Sequence, residues 1–198
     1  LSAALNGVSD NPLVFDPDIL SGGNFHAQPI AFVSDFLAIA VAEIGSLSER
    51  RTDLLDRRVN PALNMFLTSE PGLESGFMIA HVTAAALASE NKTLAHPASV
   101  DSIPTSAGQE DHVSMAPWAG RKLLEICVNV GRILAVELLA AAQAIDHLAP
   151  LTTTPSLAKL HAYVREAVPG RRSDHRLDRD IDSLSRLIDS GALPAPDR

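Results

Sequence analysis

From about Trp118 to His147 the chain reads as one long helix, and its second half is apolar on nearly every face: Ile133, Leu134, Val136, Leu138, Leu139, Ala140, Ala142 and Ile145 are interrupted by little more than Glu137 and Gln143. A helix without a polar face has no stable place on a surface, so it is central in a bundle or buried between subunits. Everything else in the fold has to provide cover for it. Val128, Val130, Ile133, Leu134, Val136, Leu138, Leu139 and Ile145 exceed what short helices alone can hide, which predicts that the chain associates. Cys127, among Leu123, Leu124, Ile126, Val128 and Val130, is expected in the core.

The remaining segments also read as helices. Ile30, Val33, Phe36, Leu37, Ala40, Val41, Ile44 and Leu47 recur at three and four after Pro29, predicting a helix to about Leu55 with those residues as its buried face. Phe77–Leu94 is helical and alanine-rich, and Ala84, Ala85, Ala86 and Ala88 allow a neighbour to approach closely. Two short helices are predicted around Ser156–Ala167 and Arg179–Ser190. Segment 1–28, with Asn6-Gly7, Asn11-Pro12, Asp16-Pro17 and Gly22-Gly23, reads as turns and loop, and no strand pattern of useful length is visible. Hydrophobic residues make up 46% of the 198 and aromatics 4%, which favours an all-α fold packed through small side chains.

Sixteen basic against 24 acidic residues give a net charge of −8, which argues against nucleic acid or an anionic membrane as partner. The most apolar run, Ile133–Ala144, is too short for a bilayer, so no membrane span is expected. The lone cysteine excludes an internal disulfide, and no secretory leader is visible, so a cytoplasmic location is expected. The first residue is Leu1, not Met, so the chain is expected to be a piece of a longer one.

Three stretches are more polar than packing requires. In Ser21-Gly22-Gly23-Asn24-Phe25-His26 the glycines let the backbone approach a ligand, Asn24 and His26 can hydrogen-bond, and Phe25 offers a flat apolar surface; an ordinary turn before a helix is the other reading. Ser89-Glu90-Asn91-Lys92 leads into His96-Pro97-Ala98-Ser99-Val100-Asp101-Ser102, either a helix end with a polar connection or part of a site. Thr105 through Met115 sets Glu110 and Asp111 beside His112, a set suited to acid–base chemistry or to a cationic ring, or to an exposed helix start. No phosphate-binding glycine loop, His-Glu-x-x-His or Gly-x-Ser-x-Gly is present, and the dispersed histidines (26, 81, 96, 112, 147, 161, 175) predict no metal site. Arg50-Arg51 and Arg57-Arg58 read as a solvated or subunit-bridging face.

Taken together, Ser9-Asp10-Asn11-Pro12-Leu13, Ser21 to His26, Ser48-Glu49-Arg50-Arg51, Ser75 to Ala80, Thr83 to Leu87 and the run from Ser89 to Met115 resemble the aromatic amino acid ammonia-lyase family, strongly over about 5–150 and weakly beyond. Gln109-Glu110-Asp111-His112-Val113-Ser114-Met115 is similar to the histidine-using branch; phenylalanine-using relatives carry glutamine where Glu110 stands. Gly108 stands where asparagine is common, and His81 where glutamine is usual. The resemblance implies a long central helix bundle, with residues 1-150 part of that domain and 151-198 a C-terminal helical extension. It also implies a homotetramer that eliminates ammonia from L-histidine to give trans-urocanate.

The family's electrophile, a methylidene-imidazolone, is built from an internal Ala-Ser-Gly; here Ala98-Ser99 is followed by Val100 and the tripeptide is absent. The resemblance places it upstream, in an N-terminal part of the same protein. It gives Phe25 a position near the electrophile and substrate ring. Glu110 would be the partner of the imidazole and an acid–base group, with Asn11 and His26 as further substrate-side contacts. Two other readings stay open: a lyase or aminomutase acting on tyrosine or phenylalanine, and a non-catalytic helical scaffold.

Overall fold

The structure, a computed structural model, describes residues 1–55 and 58–194. It is mostly helical: α1 (Ser2–Asn6), α2 (Gln28–Leu54), α3 (Met78–Leu94), α4 (Ala116–His147), α5 (Pro155–Ala167) and α6 (Asp178–Asp189). The five longer helices lie where periodicity puts them. Pro155 opens α5, and Asp178 and Asp180 sit in the first turn of α6, where acidic side chains meet the positive end of the helix dipole. The N-terminal segment is a correction. It contains α1 and an antiparallel hairpin, β1 (Leu13–Phe15) and β2 (Asp18–Leu20), turning at Asp16-Pro17, with Val14 opposite Ile19. Three-residue strands are too short to show a period of two.

The chain divides into two compact units, Leu1–Ala40 with Thr93–Ile126, and Val41–Lys92 with Cys127–Arg198. In the first, the buried apolar residues are small: Ala31, Ala38, Ala98, Ala116 and Ala119, with Ile126 as the one bulky member. In the second, Ala80, Ala84 and Ala88 form a stripe on α3 that clusters with Ile133, Val136 and Leu139 of α4, Val164 of α5 and Ile181 and Leu184 of α6. Full burial of each of those bulky side chains contributes about 1.5–3 kcal/mol. Gly45 belongs to the same packing logic: a Cβ there would lie 2.9 Å from Val130 Cγ2 and 3.3 Å from Ile133 Cδ1.

The buried face of α2 is the opposite of the expected one. Val33, Phe36, Leu37, Ile44 and Leu47 are exposed, and Ala31, Ser34, Asp35, Ala38, Ala42, Ser48, Glu49 and Thr52 are inside. Small and polar side chains occupy the close contacts, and the bulky row is left uncovered in this chain. α2 also corrects the expectation of no possible span: its 27 residues, with mean hydropathy 1.8 in the most apolar window, suffice by length and composition to cross a bilayer. Its inward face mixes alanines with polar side chains, among them the charged Asp35 and Glu49.

On α4 the expectation of uncovered bulk is also revised. Val130, Ile133, Val136 and Leu139 are buried and Leu134, Leu138 and Ile145 half-buried, while Val128 stays exposed. Cys127 is exposed, not in the core, because it shares the outward face of α4 with Leu124 and Val128. Arg50 and Arg51 are exposed yet engaged: Arg50 pairs with Glu49, and Arg51 grips Glu137 through two hydrogen bonds of 2.6 and 2.8 Å. Arg57 lies outside the described residues.

Candidate active site

Asn11, Phe25, His26 and Glu110 all lie in the first unit, while Ser89 to Lys92 belong to the second. Asn11, just before the hairpin, accepts hydrogen bonds at Oδ1 from the Gly22 amide (2.9 Å) and the Ser21 hydroxyl (3.2 Å). Asn24 Nδ2 donates to the Val8 carbonyl at 2.9 Å. The Gly22-Gly23 turn is thus tied to the segment ahead of β1, and Phe25, which follows it, is 49% exposed. Ala27, at φ 60°, reverses the backbone into α2.

The second loop, 105–110, is closed by two backbone hydrogen bonds, Thr105 N–H to Glu110 O (3.0 Å) and Glu110 N–H to Thr105 O (3.3 Å). Between them Ser106, Ala107 and Gly108 all have positive φ, at 53°, 56° and 87°. Gly108 takes this conformation freely, whereas Ser106 and Ala107 each hold it at a cost of about 1–3 kcal/mol, a kind of strain that gathers at ligand-facing loops. Glu110 follows with its carboxylate exposed, and among the described residues no hydrogen bond or ion pair reaches that carboxylate.

The two loops meet at His26. Its Nε2 lies 2.6 Å from the His112 carbonyl oxygen, and the two imidazoles stack with centroids 5.1 Å apart and planes 17° from parallel. A carbonyl accepts and does not donate, so His26 carries a proton on Nε2, and a neutral ring keeps Nδ1 as an acceptor. Phe25 meets the His26 ring edge-on at 6.4 Å. Phe25 and His26 are therefore brought to the segment carrying Glu110; Asn11 joins them through its hydrogen bonds to Ser21 and Gly22.

Sequence reasoning missed what lies behind these loops. Asp35 of α2 and Lys122 of α4 are buried and paired, Asp35 Oδ1 to Lys122 Nζ being 3.3 Å. Asp35 Oδ2 accepts from the Ser99 amide at 2.7 Å, Lys122 donates to the His96 carbonyl, and Gln28 Nε2 donates to the Ser99 carbonyl at 2.9 Å. Burial pushes the Asp35 carboxyl up, but the Ser99 amide and hydroxyl, the Ala98 amide and Lys122 together outweigh it and hold it below the usual range. The available signal was spacing: Asp35 falls between Ala31 and Ala38, and Lys122 between Ala119 and Ile126, each in step with a buried small-residue row. Further on, Ser102 Oγ accepts from the Val113 amide at 2.9 Å.

A separate polar cluster sits in the second unit. Buried Glu49 accepts from Arg50 and from His81 Nε2 (2.9 Å), and these partners hold its carboxyl below the usual range, Arg50 foremost, against the effect of burial. Among the described residues no group of three or more His, Cys, Asp or Glu is placed to hold a metal ion.

Comparison with known proteins decides the family. The profile described as "Aromatic amino acid lyase" matches residues 1–166. The chain belongs to the aromatic amino acid lyase family. Histidine ammonia-lyase of Desulfotalea psychrophila is 60% identical to this lyase chain over 190 residues, covering 95% of it. The crystal structure of histidine ammonia-lyase from Trypanosoma cruzi superposes with a TM-score of 0.89 at 50% identity, over 96% of this chain and 38% of that one. Tyrosine aminomutase from Streptomyces globisporus gives 0.86 at 39%, over 93% of this chain and 36% of that one. The lyase chain thus spans 37% of the length of the Desulfotalea relative.

Proposed function

We propose that the complete protein is a histidine ammonia-lyase, releasing ammonia from L-histidine to give trans-urocanate, and that this chain supplies the part of the site that faces the imidazole. The observation that carries the reading is Glu110: an exposed carboxylate with no partner among the described residues, on a strained, closed loop, in a chain 60% identical to a histidine ammonia-lyase. A ring N–H of histidine donates to such a carboxylate, whereas a phenyl ring would leave it unsatisfied. Glu110 then exchanges a proton with the ring nitrogen it faces. Phe25 packs flat against the ring. His26, fixed through its Nε2 proton on the His112 carbonyl, presents Nδ1 as an acceptor to the polar part of the substrate.

The chain contains no Ala-Ser-Gly, so a methylidene-imidazolone would come from another part of the protein. The residues present fit such a group: the Phe25 ring is half exposed, and the space around Gly23 is open, with nothing within 4 Å of an added Cβ. When bound there, it supplies the electrophile that makes the substrate amine a leaving group. Homotetrameric assembly and a cytoplasmic location belong to the same proposal.

The test is steady-state turnover of the complete protein, followed by urocanate absorbance. Glu110→Gln is expected to keep the melting temperature and lose about a hundred- to ten-thousand-fold in rate. Normal turnover by Glu110→Gln would remove Glu110 from the site and histidine from first place among substrates. The chain 1–198 alone is expected to give no urocanate, and turnover by it would refute the role assigned to Ala-Ser-Gly. A second reading, an aminomutase acting on tyrosine, is favoured by the 39% identity to tyrosine aminomutase. Offering L-tyrosine to the same preparation and assaying for β-tyrosine decides between them.

A further inference from the structure

The buried pair Asp35–Lys122 touches none of the candidate substrate contacts, yet it is where the chain invests two buried charges. Desolvating them is costly, and an ion pair inside protein is seldom a net gain over apolar packing. What the pair does hold is backbone. Lys122 takes the His96 carbonyl, Asp35 takes the Ser99 amide, and Gln28, in the first turn of α2, takes the Ser99 carbonyl. The His96–Ser99 turn is therefore clamped at both ends by side chains from two helices. Three residues on, the Ser102 hydroxyl accepts the Val113 amide at 2.9 Å. Val113 directly follows His112, whose carbonyl accepts from His26 at 2.6 Å.

We propose that Asp35 and Lys122 are positioning residues for the candidate site, clamping the His96–Ser99 turn so that Ser102 fixes Val113 and sets the His112 carbonyl, and with it the Glu110 loop, against His26. The proposal rests on the functional reading above. An apolar pair in their place would fill the space but could not grip a carbonyl and an amide at once. Misplacing reacting groups by about 1 Å costs on the order of a hundredfold in rate, so a clamp remote from the chemistry has kinetic weight.

Lys122→Met alone would strand Asp35 as an unpaired buried charge, so the variants are Ser102→Ala and the neutral pair Asp35→Asn/Lys122→Met, singly and combined, in the complete protein. Two readouts are taken: amide exchange of the peptide covering 103–115, with that covering 80–92 as control, and kcat with kcat/KM for L-histidine. Each variant is expected to raise exchange in 103–115 and leave 80–92 unchanged. kcat and kcat/KM are expected to fall together by about a hundredfold in the neutral pair. The combined variant should fall scarcely further, because both changes break one chain of contacts. Additive losses, or protection of 103–115 unchanged in the neutral pair, would overturn the proposal. Glu110→Gln run alongside separates the two failures: its normal turnover sinks the functional reading, while exchange still judges the clamp.

Discussion

Two glycines show how the same conformation carries different constraints. Gly76 has φ +51°, and a Cβ there would lie 2.3 Å from the Phe66 carbonyl oxygen, which already accepts the Phe77 amide at 2.8 Å. Gly108 has φ +87° with nothing within 4 Å of an added Cβ. Gly76→Ala should thus cost at least the roughly 1–2 kcal/mol of a left-handed L-residue, plus the displaced carbonyl. Gly108→Asn should cost under about 1 kcal/mol, since asparagine tolerates that region. Thermal melts of the two variants check the order, and a Gly108→Asn melt as low as that of Gly76→Ala would contradict it.

Asp35 gives a pH prediction. Its folded pKa lies below its ordinary value of 3.8, so the unfolded chain binds the proton more readily. The stabilisation is present above that ordinary value and is lost as pH falls through the lower folded pKa. Acid unfolding should therefore steepen below about pH 4, and Asp35→Asn should flatten that part of the curve while lowering stability at neutral pH. Denaturant melts from pH 3 to 7 measure both. Equal slopes in wild type and Asp35→Asn would mean that Asp35 titrates alike in both states.

At the scale of elements, periodicity placed α2 correctly and turned it the wrong way. Hydrophobic spacing reports which residues are apolar, not which neighbours they meet. On α2 the close contacts go to Ala31, Ala38 and Ala42, and Phe36 and Leu47 remain outside. On α3 the expected close-approach residues Ala84, Ala85, Ala86 and Ala88 divide: Ala84 and Ala88 are buried together with Ala80, while Ala85 is half-buried and Ala86 exposed, because composition shows where small side chains stand and not which face is inward. The candidate site was legible in part for the same reason. Phe25, His26 and Glu110 stand out as polar or aromatic residues in glycine-rich loops, but the contact of His26 with His112 spans 86 positions, and no local pattern encodes it. Asp35 and Lys122 were hidden because single charges in apolar helices look like solvent-facing residues. A pair of substitutions tests the packing assignment. Ala84→Leu should cost about 1–3 kcal/mol by overpacking. Phe36→Ser should change stability by less than about 0.5 kcal/mol in the monomeric chain, at low salt and high dilution. The reverse order in denaturant melts would restore the face that periodicity suggested.

For the whole molecule, the uncovered bulk is the main unresolved force. In the first unit Phe32, Phe36 and Ile39 are exposed, and in the second Ile44, Leu47 and Leu54. Bulky apolar side chains left outside in such number mark contact with protein. The net charge of −8 works against association, because like-charged copies repel at long range. Salt removes the repulsion and leaves apolar burial intact; at about 0.5 M the screening length is a few ångströms. Chain 1–198 at micromolar concentration is therefore expected to self-associate, and to do so more strongly at high salt than at low. Association held by the exposed arginines would respond the other way, since ion pairs weaken on screening. Light scattering across a salt series distinguishes the two. Phe36→Ser should shift the high-salt distribution toward monomer, because it removes one of the largest aromatic surfaces from the patch. A chain that stays monomeric at every salt concentration would mean that the bulky row of α2 is simply tolerated in water, and that its exposure carries no information about assembly.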